Sequence, residues 1–536
     1  MQPSIPATCR QAQAPFLQQL RRHVTKTIVL GMMTCTICVA VAYSEEGKTE
    51  LPRVSPRPRS EEYGQDRILV AGNGRAVSVR ISHPQKGQAE PIEEGLALLS
   101  RRLGLLGGAK VKVLGAPEHH QILVERCSDQ RMSEVLRTEG IKEQVDERRL
   151  AQAYYLRAQQ SHDRSPIVTI RGCSDLGLYY GLVSLCQLLD ENETGQPWLP
   201  EVKIVDWPEI GCRLAKVSAS ESPLDSLEML SQWLPMYKIN QMGLQFHGKE
   251  AKKAAGYVVN TKTICSQTRK RGILQAIPYF CPFRGGGYDF SLNSDQEEYL
   301  EMLRGFMDAG ASGIQVDYND WGNTTRVPIE DVLDLVCRDL AQRHPEAIVL
   351  WCPPQRGAAR YRGPASDEMA RILSTVPETV WPLWVGLDRN EKLLQSETVR
   401  AWADKAGRKP FCWVIGVSAT DICSRPIGSL PNARVFRGER MPKNLHELFE
   451  GVHLNVNVPR PEFVSMARGY LPPVSEFTAF GLAYLATAAD CVWNPHGWND
   501  VESWQRATRF VEIMQPLVSK EFALTCPKNG GLDHDK

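Results

Sequence analysis

The chain has no excess of charge of either sign. Its 536 residues hold 63 Lys and Arg against 62 Asp and Glu, a net charge of +1. That balance gives no electrostatic case for nucleic acid or for an acidic membrane surface as a partner. Cysteine is present but unpatterned. Cys9, Cys35 and Cys38 fall in the first 44 residues, which leaves 12 of the 15 in the rest of the chain, with no C-x-x-C pair among them. Structural zinc is therefore not expected. Most of these thiols sit in apolar runs, as Cys186 does in "LVSLCQLL" and Cys412 in "PFCWVIG". They are expected to be buried and free, with few or no disulfides. No G-x-G-x-x-G follows an early strand, no glycine-rich phosphate cradle is present, and "KVSASES" lacks the G-x-S-x-G elbow. No cofactor and no metal are expected.

Long apolar runs are also scarce. The one that stands out, Thr27 to Ala42, follows Arg21, Arg22 and Lys26 and ends among small residues near Ala40 and Ala42. A basic segment, a short apolar stretch and small residues are the parts of a secretory signal. A membrane anchor is the alternative, but the run is short for a span, which needs about 20 apolar residues. Residues 1–44 are read as a signal peptide and the protein as exported, periplasmic or secreted, with no membrane span after removal. "RRHVTK" has a weak likeness to a twin-arginine signal.

Residues 45–65, charged and proline-rich, read as a flexible linker. Residues 66–206 mix short strand patterns such as "RILVAG" and "PIVTIRG" with helical ones such as "DLGLYYGLVSLCQLLD", which predicts a small α+β domain. From 207 to 460 the pattern is strand, loop, helix, repeated. The strand candidates are "CRLAKVSA", "QMGLQFHG", "GILQAIPYF", "GIQVDYND", "AIVLWCPP", "TVWPLWVG", "PFCWVIG" and "GVHLNVN". Eight apolar strands alternating with helices predict an α/β fold, a TIM (β/α)8 barrel, with a doubly wound open sheet as the alternative. Residues 461–536 predict a helical segment, with Ser475 as a helix cap, and a disordered tail.

In a barrel, function gathers where strands end. The polar groups there are Ser218 and Ser220, then His247 and Lys249, then Asp317, Asn319 and Asp320. Gln355, Arg356, Asp388, Asp421, Asn455 and Asn457 follow later strands, with Trp321, Trp384 and Trp413 nearby. Carboxylates, amides and ring faces together suit a sugar, whose hydroxyls need donors and acceptors and whose apolar face stacks on aromatics. Each group also has a plainer role. Asp317 fits equally well as a satisfied polar group of the barrel layer, Lys249 as part of the run "KEAKKAAG", and Asp421 as a turn cap.

Several segments resemble the β-N-acetylglucosaminidases of glycoside hydrolase family 84, the O-GlcNAcase and hyaluronidase-like group. "IVTIRGCSDLGLYYGLVSLCQLL" with "LPEVKIVDWPEIGCR" is similar to the small domain before the barrel in these enzymes and in family 20 hexosaminidases. "YKINQMGLQFHGKE" resembles the family's "YKMNTYIYAPKDD" type of strand, and "AADCVWNPHGWNDVESWQRA" its Trp-Asn-Pro helix. The resemblance implies substrate-assisted retention on β-linked N-acetylhexosamine, in which the sugar's own acetamido oxygen attacks the anomeric carbon, an exception to the usual pair of carboxylates. It puts Asp320 in the acid/base place and Asn319 in the place of the group that orients the acetamide. Lys249, Asp421 and Asn455 fall on substrate-binding positions; Asp317, a carboxylate extra to the family's pattern and on the same side of the strand as Asn319, and Trp384, a strand-end ring, complete the expected site. The implied partner is an N-acetylated glycan. The chain departs from the pattern at Asn319, where the family has a carboxylate, at Arg356, at Gly416, and in "KVSASESP", which replaces the first-strand motif. These departures leave a second reading open, a barrel that binds a glycan without cleaving it.

Overall fold

A computed structural model of the protein describes residues 53–70, 76–82, 90–114, 121–160, 167–219, 222–247, 255–281, 288–317, 327–353, 364–384, 396–414, 445–455 and 479–518. All of them fall in one compact unit, Pro52–Cys423 with Pro431–Lys536.

The first layer is a mixed sheet. Its strands are β1 (Ser60–Leu69), β2 (Val77–Ser82), β3 (Val111–Leu114), β4 (Ile122–Arg126), β5 (Tyr154–Ala158), β6 (Val168–Gly172), β7 (Asp190–Glu191) and β8 (Pro197–Asp206). They order as β1-β8-β5-β6-β4-β2-β3, with β7 pairing β8. Helices α1 (Glu90–Leu105), α2 (Asp129–Thr138), α3 (Glu147–Leu150) and α4 (Asp175–Leu188) cover it. Helix α4 starts where the Ser174 side chain accepts from the Gly177 N–H, the usual way a first-turn donor is satisfied. From Gly177 to Leu188 every residue of α4 is buried. A helix apolar all round belongs in an interior, and its Tyr180 meets the ring of Trp493 edge-on at 5.5 Å. The other face of the sheet holds a separate small core of Met132, Leu136, Leu150, Tyr155 and Trp207.

The second layer is the barrel. Strands β9 (Cys212–Ser218), β10 (Gln241–His247), β11 (Gln275–Cys281), β12 (Gly313–Asp317), β13 (Ile348–Cys352), β14 (Val380–Trp384), β15 (Phe411–Val414) and β16 (Gly451–Asn455) are all parallel, and β16 pairs with β9 to close the ring. That closure excludes the open doubly wound sheet. Helices α5 (Leu224–Met236), α6 (Ala255–Arg271), α7 (Asn293–Asp308), α8 (Ile329–Arg343), α9 (Pro364–Thr375), α10 (Ser396–Ala406) and α11 (Leu445–Leu448) lie between strands. Two terminal helices follow, α12 (Ala479–Trp493) and α13 (Asp500–Met514). Nine described cysteines are buried. Among the described residues no helix is long and apolar enough to cross a membrane.

The sheet domain closes one end of the barrel. Arg148 of α3 pairs with Glu450, places its guanidinium 5.1 Å from the Trp381 ring and comes within 3.7 Å of the Cys212 Sγ. Cys212 and Trp381 lie at the N-terminal ends of β9 and β14, so this end is sealed and the C-terminal rim is left for loops and ligand.

The linker expected over 45–65 is corrected in its described part. Val54 and Ser55 are buried, and Ser60–Leu69 is strand β1, with Ser60 in register with Val205. Some of its charges pair with residues remote in sequence. Arg59 pairs with Glu209, Arg57 with Glu502, and the Arg57 N–H donates to the Asp490 carboxylate.

Candidate functional site

Side chains alternate along a strand, so each barrel strand has an inner and an outer row. The outer row joins the main core: Ala215 and Val217, Met242 and Leu244, Ile314 and Val316, Val349 and Trp351. An inner cluster of Cys212, Leu214, Ile277, Leu350, Cys352, Leu383 and Phe411, with Ile348 and Trp381 against it, fills one side and the sealed end of the lumen. The inner positions of β9, β10, β11, β12 and β16 are different in kind. They are Lys216, Gln245, Tyr279, Gln315, Asp317 and His453, all at most 9% exposed. A barrel interior is normally filled by branched aliphatics, so half of this lumen is chemically unusual.

The geometry explains how a lysine fits there. Lys216 is in register with Gly243 on β10. A Cβ at Gly243 would lie 2.8 Å from the Leu214 side chain and 3.4 Å from the Lys216 Cα. The missing side chain lets Lys216 pass over β10 to β11, where its Nζ sits 4.5 Å from the centroid of the Tyr279 ring. The quadrupole of that ring attracts the ammonium. His453, fully buried on β16, is held neutral: burial lowers its pKa well below 6.5, and the Lys216 charge lowers it further.

The residues expected at the site are placed as follows. Asp317, the last residue of β12, is 1% exposed and shares the inner row with Gln315. Asn455 ends β16, with its backbone in register with Lys216. Asn319 and Asp320 come directly after β12 in the chain, and Lys249 after β10. They and Asp421 lie outside the described residues. Because the eight strands are parallel, the ends of β10, β12 and β16 share one rim. Trp384 is placed differently from its expected role. It is 4% exposed, belongs to the outer core and meets Trp402 of α10 edge-on at 5.9 Å. It is a packing residue between barrel and helix.

Lys216, Gln245, Gln315 and His453 were not singled out from the sequence. The signal was present all the same. Each stands two residues before a strand-end polar group already noted: Ser218, His247, Asp317 and Asn455. A spacing of two marks one face.

The closed (β/α)8 barrel preceded by a mixed sheet domain has counterparts among known proteins. Residues 51–207 match the model of glycosyl hydrolase family 20, domain 2. Among solved structures, CpGH84B superposes with a TM-score of 0.60 at 16% identity, over 87% of this chain and 74% of that one. Flavobacterium johnsoniae chitobiase gives 0.56 at 14%, over 89% and 74%. The exo-β-N-acetylglucosaminidase of Vibrio harveyi, solved in complex with N-acetylglucosamine, gives 0.59 at 12%, over 89% and 81%. A comparison with curated proteins gives no match.

Proposed function

We propose that the protein is a glycoside hydrolase of the β-N-acetylhexosaminidase type, acting on β-linked N-acetylglucosamine or a related N-acetylhexosamine. The observation that carries this reading is the joining of a family 20 domain 2 match, residues 51–207, to a closed barrel whose inner row is polar on the strands β9 to β12 and β16. In this reading the sugar's acetamido oxygen is the nucleophile. Asp320 protonates the leaving oxygen and then deprotonates water, while Asn319 accepts from the acetamido N–H. Asn319 supplies no charge against the oxazolinium that forms. Loss of such electrostatic help typically costs about 10²–10³ in rate, so a weakened hydrolase is expected. Lys249, Asp421 and Asn455 hold the sugar hydroxyls.

The test is hydrolysis of an aryl β-N-acetylglucosaminide by the full chain. Slow release of a weakly acidic aryl alcohol, strongly reduced by loss of Asp320, supports the reading. Binding of the N-acetylated glycan with no turnover by either protein moves it to a glycan-binding barrel, which the departures at Asn319, Arg356 and Gly416 favour. Export is part of the same proposal and rests on the basic and apolar run from Arg21 to Ala42. N-terminal sequencing of the protein from the cell envelope or medium checks it.

A further inference from the structure

Cys127 and Cys173 occupy matching places at the ends of two adjacent parallel strands of the sheet domain. Strands β4 and β6 run in register from Ile122 with Val168 to Arg126 with Gly172. The last rung is the Cys127 N–H, which donates to the Gly172 carbonyl at 3.0 Å. Each cysteine is the next residue of its strand, and each is followed by a serine that caps a helix. Ser128 accepts from the Arg131 N–H at the start of α2, and Ser174 from the Gly177 N–H at the start of α4. The sequence Cys-Ser-Asp stands at both turns. The two backbones therefore leave the sheet in the same way, with the cysteines side by side.

Neighbouring strands lie about 4.8 Å apart, and a disulfide joins Cα atoms about 4.4–6.8 Å apart. The two side chains also share a face. Side chains alternate along a strand, so Cys127 points with Glu125 and Cys173 with Arg171. That preceding pair meets directly across the strands, with the Arg171 Nε 2.6 Å from the Glu125 Oε2. Both cysteines belong to the small core on this face of the sheet, with Leu150 and Tyr155. The Cys173 Sγ donates to the Leu150 carbonyl at 3.0 Å, which places it at the end of α3.

Two adjacent thiols can act as a fast redox switch or as a structural bridge, and the electrostatics separate the two. Disulfide exchange needs a thiolate. Burial pushes the Cys173 thiol up to about 12, and the Asp129 charge adds to it. Burial, then the Glu125 carboxylate, raises Cys127 as well. In the folded chain both stay protonated at neutral pH and exchange slowly. A bridge here is made while the sheet assembles and is kept afterwards. It closes a loop that holds α2, α3 and β5, and α3 carries Arg148, which pairs with Glu450 at the sealed end of the barrel.

We propose that Cys127 and Cys173 form a structural disulfide when the chain folds under oxidising conditions. The oxidant is a small disulfide such as oxidised glutathione. One cysteine sulfur attacks it to give a mixed disulfide, and the other displaces the second glutathione. The S–S bond forms, the two thiol hydrogens pass as two electrons and two protons, and two reduced glutathione molecules leave. The bridge ties the ends of β4 and β6 together and holds the segment that carries α3 against the sheet. It is independent of what the barrel binds.

The experiment refolds the full chain from denaturant, once with oxidised and reduced glutathione and once with reductant alone. Remaining thiols are blocked with iodoacetamide in denaturant, and the chain is digested with trypsin and chymotrypsin without reduction. Trypsin releases Cys127 in the peptide Cys-Ser-Asp-Gln-Arg, and chymotrypsin cuts at Tyr179 and Tyr180, between Cys173 and Cys186. The Cys127 peptide is expected joined to the Cys173 peptide after oxidative refolding, and both are expected alkylated after reductive refolding. The unfolding midpoint of the bridged chain is expected to exceed that of the reduced chain by about 2–8 °C. The double variant Cys127→Ala with Cys173→Ala is expected to show no such difference. Alkylation of both cysteines after oxidative refolding, or a link from either to another cysteine, overturns the proposal. An equal oxidant-dependent shift in the double variant overturns its stabilising role. The peptide map is read on the wild type, so it decides the pairing even where the double variant fails to fold.

Discussion

The Lys238 Nζ lies 2.7 Å from the Asp206 Oδ2, and neither side chain is exposed. Four segments meet at this pair. The Tyr154 hydroxyl oxygen of the sheet accepts from the Lys238 Nζ at 3.0 Å, and the Trp493 ring lies 4.6 Å from the ammonium. The Asp206 Oδ1 accepts from the Trp493 Nε1 at 2.8 Å and from the Arg59 N–H at 3.1 Å. Burial lowers the Lys238 pKa, and the Asp206 carboxylate opposes that fall. The N-terminal strap, the sheet, the barrel and the last long helices thus share one buried charge pair.

Removing one partner leaves the other charge buried alone, which costs about 3–5 kcal/mol. Lys238→Met is expected to destabilise by that amount, and to weaken sheet and barrel together. The double variant Lys238→Met with Asp206→Asn is expected to recover part of the loss. Urea unfolding followed by far-UV and near-UV signals checks both points. Separate transitions for the sheet domain and the barrel in the wild type would contradict the shared joint.

Two glycines give opposite expectations. A Cβ at Gly313 would sit 2.3 Å from the Ile348 carbonyl oxygen, where β12 pairs with β13. Backbone cannot swing aside as a side chain can, so Gly313→Ala is expected to cost at least the ~1–3 kcal/mol of an overpacked core. Gly104, near the end of α1, has nothing within 4 Å of a built Cβ. Gly104→Ala is expected to stabilise by about 0.4–1 kcal/mol, through the entropy of the unfolded chain. Thermal unfolding of the two variants separates the cases.

The barrel was legible because parallel strands buried on both faces read as apolar runs, and all eight marked segments form β9–β16. The lumen was not read. Lys216 or Gln315 inside such a run looks tolerated until the strand-end residue two places on shows which face they share. Trp384 fails by the same parity. Leu383 is the inner residue of β14, so the next side chain turns out toward Trp402. The strap at 53–59 was illegible for another reason: its partners are remote in sequence. Ser55 bonds Gln187, 132 residues on, and Arg57 bonds Asp490, 433 residues on. Local composition cannot report that. "WNPHGW" was legible as a motif, and the structure gives it a structural part. Trp493 bonds Asp206, while the Asn494 Nδ2 donates to the Pro58 carbonyl at 3.1 Å.

Acid is expected to weaken the fold in two steps. His453 is neutral when folded, with its pKa well below 6.5 through burial and then through Lys216. The unfolded chain takes up that proton from pH 6.5 downward, so stability falls as pH drops below 6.5, by up to about 1.4 kcal/mol per unit for one proton. His453→Asn removes this first step. Glu209 follows at lower pH. Burial alone would raise its pKa, but the His446 hydrogen bond and the Arg59 guanidinium bring it down to about 2. Its contribution is complete above pH 4.5 and is lost as pH falls toward 2, on the order of 3 kcal/mol. Glu209→Gln flattens that second step. Urea midpoints measured from pH 7 to pH 3 read both.

The last prediction separates the carboxylates at the end of β12. A proton donor matters most when the leaving group is poor, because a good one departs unaided. Asp320→Asn is therefore expected to slow hydrolysis of aryl β-N-acetylglucosaminides in proportion to the pKa of the aryl alcohol, with little effect on the most acidic. Asp317 is at most 1% exposed and on the inner row, two residues from Asn319. If its charge stands in for the one Asn319 lacks, it acts on the positive charge of the oxazolinium. That charge develops whatever the leaving group, so Asp317→Asn is expected to lower the rate evenly across the series. Asn319→Asp restores the missing carboxylate and is expected to raise the rate by about 10²–10³. Leaving-group plots for the wild type and three variants decide the roles. A steep leaving-group dependence in Asp317→Asn, with a flat one in Asp320→Asn, would exchange the two assignments.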